Sequence, residues 1–362
     1  MKKVVFISRL LNDKNAAGIH RYTLEVLREL DKIVPDNQVM LLISPDEEDT
    51  FGFKHISVVK IGKVYSIGGS IGRRITWYLY KNYYAYKYIR KTHAISVDLL
   101  LQFPLFGCDV IAIYDCRVNK FPEFYSFSKN QRRTRKRLLK HQNGAVKKSK
   151  RIITDSQSAE QELLEVYPGL GKPTDVIYCG WQHFLNVEYD DSILERLNLC
   201  DRSFFLSLGS RLPHKNIKWI NCAARKHPQH IFVVTGKDMG DTDIEREMQK
   251  NLILAGRLSD GEIKSLMRHC RAFIQPSLYE GFGLPPLEAM SVGANCVVSD
   301  IPVFREIYED SVWYIDPRDY ENIDLDRVLS EEKTGNEKVL RKFSWKMSAK
   351  KLWDILSEIA TD

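Results

Sequence analysis

The chain is predicted to be an α/β protein made of two doubly wound, parallel-sheet domains. Its 362 residues exceed a single ordinary core and suit two domains of α/β size. Short apolar runs alternate with amphipathic stretches almost throughout, as parallel strands joined by helical crossovers do. The pattern restarts after a turn-rich break, Tyr167-Pro168-Gly169-Leu170-Gly171-Lys172-Pro173, and a polar stretch reaching about residue 201.

In the first half the expected strands are Val4–Ile7, Val39–Ile43, Ser57–Ile61, Asp98–Leu101, Val110–Ile113 and Arg151–Thr154. Ile19, Tyr22, Val26, Leu27 and Leu30 fall on one helical face, which makes 18–33 the first crossover helix. The second half offers Phe204–Leu208, Ile231–Thr235, Leu252–Ala255, Ala272–Gln275, Asn295–Ser299 and Val312–Ile315. A last helix around Ser344–Ile359 places Trp345, Ala349, Leu352 and Leu356 on one face. The domains are therefore 1–180 and 181–343. Two such halves carry their ligand sites at the carboxyl ends of the strands, in a cleft where they face one another. Dehydrogenases and periplasmic binding proteins share that plan, but no Gly-x-Gly-x-x-Gly follows the first strand.

Hydrophobic residues make up 44% of the chain, and no run of 18 apolar residues appears, which argues against a membrane span. Ser8-Arg9 interrupts the first apolar run too early for a signal peptide, so a cytoplasmic protein is expected. Seven scattered cysteines lack metal-ligand spacing and read as reduced side chains, with no metal indicated. Residues 1–175 hold 30 Lys and Arg against 18 Asp and Glu, and 176–362 hold 24 against 29, so the first half is the basic one.

The most informative segment is Pro276-Ser277-Leu278-Tyr279-Glu280-Gly281-Phe282-Gly283-Leu284-Pro285-Pro286-Leu287-Glu288-Ala289-Met290. Two carboxylates flank a glycine-bearing turn that opens a helix, whose first amides have no internal partner and favour anions. A plain capped loop has the same composition; the alternative is a nucleotide-sugar site. The segment resembles the donor signature of the retaining glycosyltransferases of the GT-B fold, in which two glutamates separated by seven residues bracket a Gly-Phe-Gly-Leu turn. That resemblance implies that Glu280 approaches the transferred sugar, that Glu288 binds the ribose, and that Gly281, Phe282, Gly283 and Leu284 line the donor. It also implies that the terminal helix, 344–362, crosses back onto the first domain.

Other segments follow the same order. In Leu208-Gly209-Ser210-Arg211-Leu212-Pro213-His214-Lys215-Asn216 two cations enter a helix, and the resemblance makes Arg211 and Lys215 phosphate ligands. Arg211 lies one place later than the usual arginine, which leaves Lys215 the firmer assignment. Asn15–Tyr22 resembles the first glycine-rich loop, whose backbone the resemblance implies closes over the donor phosphates and meets the acceptor, and Gly18 alone matches its glycines. Ile113-Tyr114-Asp115-Cys116 stands where relatives carry His-Asp, so either the Tyr114 hydroxyl replaces a histidine contact to the sugar or that contact is lost. Asp115 keeps the polar end of the motif. Gly256 and Leu258 match backbone that meets the nucleobase.

No acidic residue occurs from Thr50 to Val97, where residues 72–91 read as a helix rich in tyrosine and cations, and Lys129–Arg151 is a second basic stretch. Packing against the first domain is one reading. The other is a face for an anionic membrane, each cation contributing about 1 kcal/mol. Nucleic-acid binding lacks any accompanying motif.

The resemblance thus implies a metal-independent, retaining hexosyltransferase with no cofactor beyond its nucleoside diphosphate sugar, GDP-mannose as first choice. The acceptor is a lipid-linked saccharide or oligosaccharide of bacterial surface polysaccharide, O-antigen or capsule, met at the inner face of the plasma membrane. A GT-B phosphorylase or epimerase and a non-catalytic saccharide-binding module are the competing readings.

Overall fold

The computed structural model describes residues 1–11, 18–66, 69–126, 128–208, 212–236, 248–330 and 333–361. Residues 1–180 with 345–362 form one compact unit, and residues 181–344 form another.

The first unit is built on seven parallel strands: β1 (Val4–Ile7), β2 (Val39–Ile43), β3 (Ser57–Lys60), β4 (Ile95–Asp98), β5 (Val110–Ala112), β6 (Arg151–Thr154) and β7 (Thr174–Val176). Their order is β3-β2-β1-β4-β5-β6-β7, so the winding reverses between β1 and β4. Every residue of β1 and β2 is buried, as expected of central parallel strands that are apolar on both faces.

The fourth strand lies earlier than its sequence suggests. The run Asp98–Leu101 looks strand-like, yet the Asp98 carboxylate accepts the amides of Leu100 (3.1 Å), Gln102 (3.1 Å) and Phe103 (2.7 Å). That turn ends β4 at Asp98 and sends Leu101 and Phe103 into positive φ. β7, too short and polar to stand out in the sequence, completes the edge and is pinned by Arg151, whose guanidinium meets Asp175 at 2.5 Å.

Residues 70–92 are helical as expected, but not uniformly. A π turn over Tyr80–Tyr84 separates the α-helical pieces Ser70–Leu79 and Ala85–Thr92. Within it Tyr80 is fully buried, and its hydroxyl shares one proton between the carbonyls of Ser8 and Leu42, each 2.6 Å away. Tyr78, Tyr83 and Tyr86 are exposed, so packing accounts for only part of the aromatic run. The basic stretch forms the helix Lys129–Lys148, capped by Ser128.

The last helix, Trp345–Thr361, belongs to the first unit and packs on the helix Gly18–Asp31. Trp345, Ala349, Leu352 and Leu356 are all buried; the Trp345 ring meets Tyr22 edge-on at 5.7 Å, and Ser348 Oγ donates to Tyr178 O at 2.6 Å. No helix among the described residues is long and apolar enough to cross a membrane.

The second unit has six parallel strands: β8 (Phe204–Leu208), β9 (Ile231–Thr235), β10 (Leu252–Gly256), β11 (Ala272–Gln275), β12 (Cys296–Ser299) and β13 (Trp313–Ile315). The order is β10-β9-β8-β11-β12-β13, with the reversal between β8 and β11. Six of the seven cysteines are buried, and all seven are free thiols.

Removing the indole of Trp345, 2% exposed, leaves a large void between the last helix and the first. Trp345→Ala is expected to lower stability by about 3–5 kcal/mol, read as a fall in urea midpoint; an unchanged midpoint would show that the last helix contributes nothing to the fold.

Candidate active site

Open parallel sheets bind ligands at the carboxyl ends of the strands where the winding reverses. In the second unit that place is the pair of loops that follow β8 and β11. The loop after β8 ends in a short 3-10 turn, Pro213–Lys215, before the helix Ile217–Lys226. Asn216 stands between them in the left-handed region at φ 57°. Its side chain donates to Pro276 O (2.9 Å) and Pro317 O (2.8 Å) and accepts from the Tyr320 hydroxyl (3.1 Å). The amide of Leu278 adds a bond to His214 O at 2.8 Å. The two loops are thereby tied together.

What they carry is an ion pair. Lys215 Nζ lies 2.8 Å from Glu280 Oε1 and 3.1 Å from Oε2. Glu280 Oε1 also accepts from Gln275 Nε2 (2.8 Å) and Ser277 Oγ (2.7 Å). The side chains of Lys215 and Glu280 are only 19% and 11% exposed, so solvent screens them weakly. Burial by itself would raise the Glu280 carboxyl, but the charge of Lys215, then that of His214, and hydrogen bonds from Lys215 and Ser277 outweigh it and hold it at about 2. Glu280 is therefore an anion at neutral pH and has no proton to give.

The turn after Glu280 requires glycine at 283. Gly283 has φ 89°, and a Cβ there would lie 2.2 Å from Phe304 Cε1. Its carbonyl accepts the Tyr308 hydroxyl. The helix Leu284–Ser291 follows, with Pro285 and Pro286 in its first turn. Proline has no N–H, so two of the usual anion-binding amides do not exist here. Among the described residues the amides of Gly283 and Leu284 have no acceptor.

Glu288 lies one turn into this helix, and its Oε1 is 2.9 Å from His183 Nε2, a nearly buried imidazole in the 3-10 turn Gln182–Asn186. Gly256, at φ 68°, ends β10 and accepts the amide of Gly236 at 2.7 Å; Leu258 leads into the helix Asp260–His269, capped reciprocally by Ser259 and Glu262. β10 is an edge strand, so Gly256 and Leu258 share the carboxyl edge of the sheet with Lys215 and Glu280 but stand two strands from β8. Arg211 lies outside the described residues.

Gly18, Tyr114 and Asp115 belong to the first unit. Gly18 opens the first helix with open space around its would-be Cβ. Tyr114 is buried, its ring 5.0 Å from Tyr22 and its hydroxyl donating to Leu99 O at 2.8 Å, so its one hydroxyl proton is committed to the backbone. Asp115 accepts the amide of Arg117 at 3.0 Å, a local turn contact.

Sequence reasoning gave no role to His183, Asn216, Gln275 or Ser277. Asn216 had a signal, an asparagine directly before an apolar helix, but it points to a cap, and the side chain serves other segments. His183 had none, because its partner is 105 residues away. Among the described residues His227, His230 and Asp326 have ligand atoms within 4.8 Å of one another. They stand at the amino end of β9, away from Lys215, and Arg271 already brings a cation to Asp326 at 2.8 Å.

Two units, each with one reversal in a parallel sheet, have the GT-B architecture, and a largely buried lysine–glutamate pair stands at the reversal of the second. Anabaena HepE, solved in complex with UDP and glucose, superposes with a TM-score of 0.70 over 99% of this chain and 100% of its own, at 15% identity. Over residues 192–339 the chain matches the family glycosyl transferases group 1. It is similar to the O-antigen chain mannosyltransferase RfbU of Salmonella typhimurium, 26% identical over 326 residues and 87% of each chain. The serotype-specific mannosyltransferase WbdA of Escherichia coli is 30% identical over 234 residues, 58% of this chain and 28% of WbdA.

The low Glu280 value has a consequence for stability. A depressed carboxyl contributes stability that is fully present above its unfolded value of 4.5 and is lost as pH falls toward about 2. Wild type should lose up to about 3 kcal/mol more than Glu280→Gln across that window, measured by urea unfolding at stepped pH; parallel curves would mean that the carboxylate is not held by its partners.

Proposed function

We propose that this chain transfers mannose from GDP-mannose to a lipid-linked or oligosaccharide acceptor in the assembly of a bacterial surface polysaccharide, with retention of anomeric configuration and without a metal. The Lys215–Glu280 pair at the reversal of the second sheet carries the reading. The mannosyltransferase names of RfbU and WbdA support the sugar, and the first supports a role in O-antigen assembly.

The mechanism follows from charge. As the bond between sugar and diphosphate stretches, negative charge grows on the leaving phosphate and positive charge on the ring. Lys215 neutralises the first, aided by the unpartnered amides of Gly283 and Leu284 and by Arg211. With these cations supplying the counter-charge, the reaction proceeds without a divalent ion. Glu280, ionised and fixed by Gln275 and Ser277, orients the sugar and offsets the charge of the ring. Held at about 2, it has no proton to give and is a poor base, so the departing phosphate oxygen takes the proton of the incoming hydroxyl. Glu288, held by His183 through one oxygen, offers the other to the ribose. Gly256 and Leu258 present backbone to the base. Gly18 lies by the acceptor in the first unit, where Asp115 and Tyr114 support the walls and Tyr114 makes no sugar contact.

The first unit also supplies a membrane-facing surface. Ile71, Tyr78, Tyr83 and Tyr86 are 57%, 53%, 52% and 44% exposed, among the cations of residues 73–91. Half-immersed rings beside cations suit the interface of an anionic bilayer. The enzyme accordingly works on the cytoplasmic side, as a peripheral protein.

Two measurements test this. Lys215→Ala should lower kcat/KM for mannosyl transfer from GDP-mannose by about a hundredfold or more, and near-normal transfer would remove it from the mechanism. Co-sedimentation with vesicles should require anionic lipid and fade with salt, whereas equal binding to neutral vesicles would reject the membrane surface.

A further inference from the structure

The first unit has its own reversal, between β1 and β4, and its carboxyl end gathers positive charge around one indole. Arg9, two residues past β1, places its guanidinium carbon 4.6 Å from the centroid of the Trp77 ring. Lys81 Nζ lies 4.3 Å from the same ring. Lys81 is 5% exposed, and its one hydrogen bond is to Gln102 O at 2.7 Å, in the loop past β4. Neither cation has a carboxylate within ion-pair distance among the described residues.

The local acids are already engaged. Asp98 is turned onto three backbone amides, Glu47 accepts those of Leu10 and Ser44, and Asp46 accepts the Ser44 hydroxyl. More positive charge surrounds the place: Arg137 and Lys140 with His141 on the basic helix, and Arg73 beside Arg9. Burial, and the charges of Arg9 and Arg137, bring the Lys81 ammonium below its ordinary range even though Asp98 opposes this. The nearly buried ammonium therefore feels the charge of Asp98 but has no carboxylate at ion-pair distance among the described residues.

Two further observations concern the same spot. Trp77 Nε1 and Gln102 Oε1 are buried without a partner among the described residues. The π turn Tyr80–Tyr84 is what turns Lys81 inward beside Tyr80, and π turns inside α-helices are found mostly at functional positions. A sheet reversal, a distorted helix, cations without ion-pair partners among the described residues and unused polar atoms converge on one place.

We infer that this cluster is an anion subsite in which Arg9 and Lys81, set against Trp77, seat a diphosphate, that of the acceptor. The inference rests on the proposal that the first unit receives the acceptor. A diphosphate fits better than a carboxylate, because its two phosphoryl groups spread charge over the separated cations of Arg9, Lys81 and Arg137. Gln102 Oε1 is then left to accept a hydroxyl of the first sugar.

The test is calorimetric titration of the full chain, with GDP at saturation, by geranyl diphosphate and in parallel by inorganic pyrophosphate. Arg9→Gln, a change at the half-buried rim, should weaken the binding of both probes about tenfold or more, and Lys81→Met likewise. The affinity for GDP, measured separately, should not change. Tighter binding of the geranyl ester than of pyrophosphate assigns the subsite to a carrier-linked diphosphate; equal binding assigns it to the phosphate groups alone, and both outcomes uphold it. No binding by the wild type, equal binding by wild type and Arg9→Gln, or displacement of the probe by GDP overturns it. Failure of the donor reading would appear instead in the GDP titration, which Arg9→Gln leaves alone.

Discussion

The ion pair between Lys215 and Glu280 organises the second unit because neither charge could remain there alone. At 19% and 11% exposure each is removed from most of its water, and an isolated buried charge costs several kcal/mol. The loops after β8 and β11 therefore have to approach each other, and Asn216, Ser277 and Gln275 hold them at the separation the pair requires. The same arrangement equips the site for chemistry on a diphosphate. A lysine beside a glutamate that stays ionised is available to a new anion whenever one enters beside it.

Charge placement also separates the two units. The second pairs Lys215 with Glu280 at the reversal of its sheet, whereas in the first Arg9, Lys81 and Arg137 have no carboxylate at ion-pair distance among the described residues and Asp98 and Glu47 turn onto backbone amides. The basic balance of the first 175 residues is thus not spread evenly over a solvated surface. Part of it lies on exposed helix faces, and part is folded inward at the end of the sheet.

Much of the fold was legible because parallel strands buried on both faces leave continuous apolar runs, as Val4–Ile7 and Phe204–Leu208 do. The misplacement of β4 shows the limit of that signal: Leu99, Leu100 and Leu101 are apolar enough for a strand, but one carboxylate at Asp98 captures the amides that a strand would have used. At the site, Lys215, Glu280 and Gly283 could be found because their spacing along the chain reflects the loop itself. His183 could not, since only tertiary packing brings it to Glu288, and neither could the commitment of the Tyr114 hydroxyl to Leu99. The π turn was equally hidden, for residues 70–92 have ordinary helical composition and the contacts of Tyr80 with Ser8 and Leu42 arise only in tertiary packing.

Asn216 joins its own loop to two others, one at Pro276 and one at Pro317 and Tyr320, and this bears on how such a protein can diverge. Drift in either loop that the amide joins must be matched in the other, so the paired loops can vary only together. The rim at Gly256–Leu258 hangs from an edge strand beyond that knot. Novelty in what the second unit recognises is therefore easier to acquire at the periphery of its sheet than at the middle.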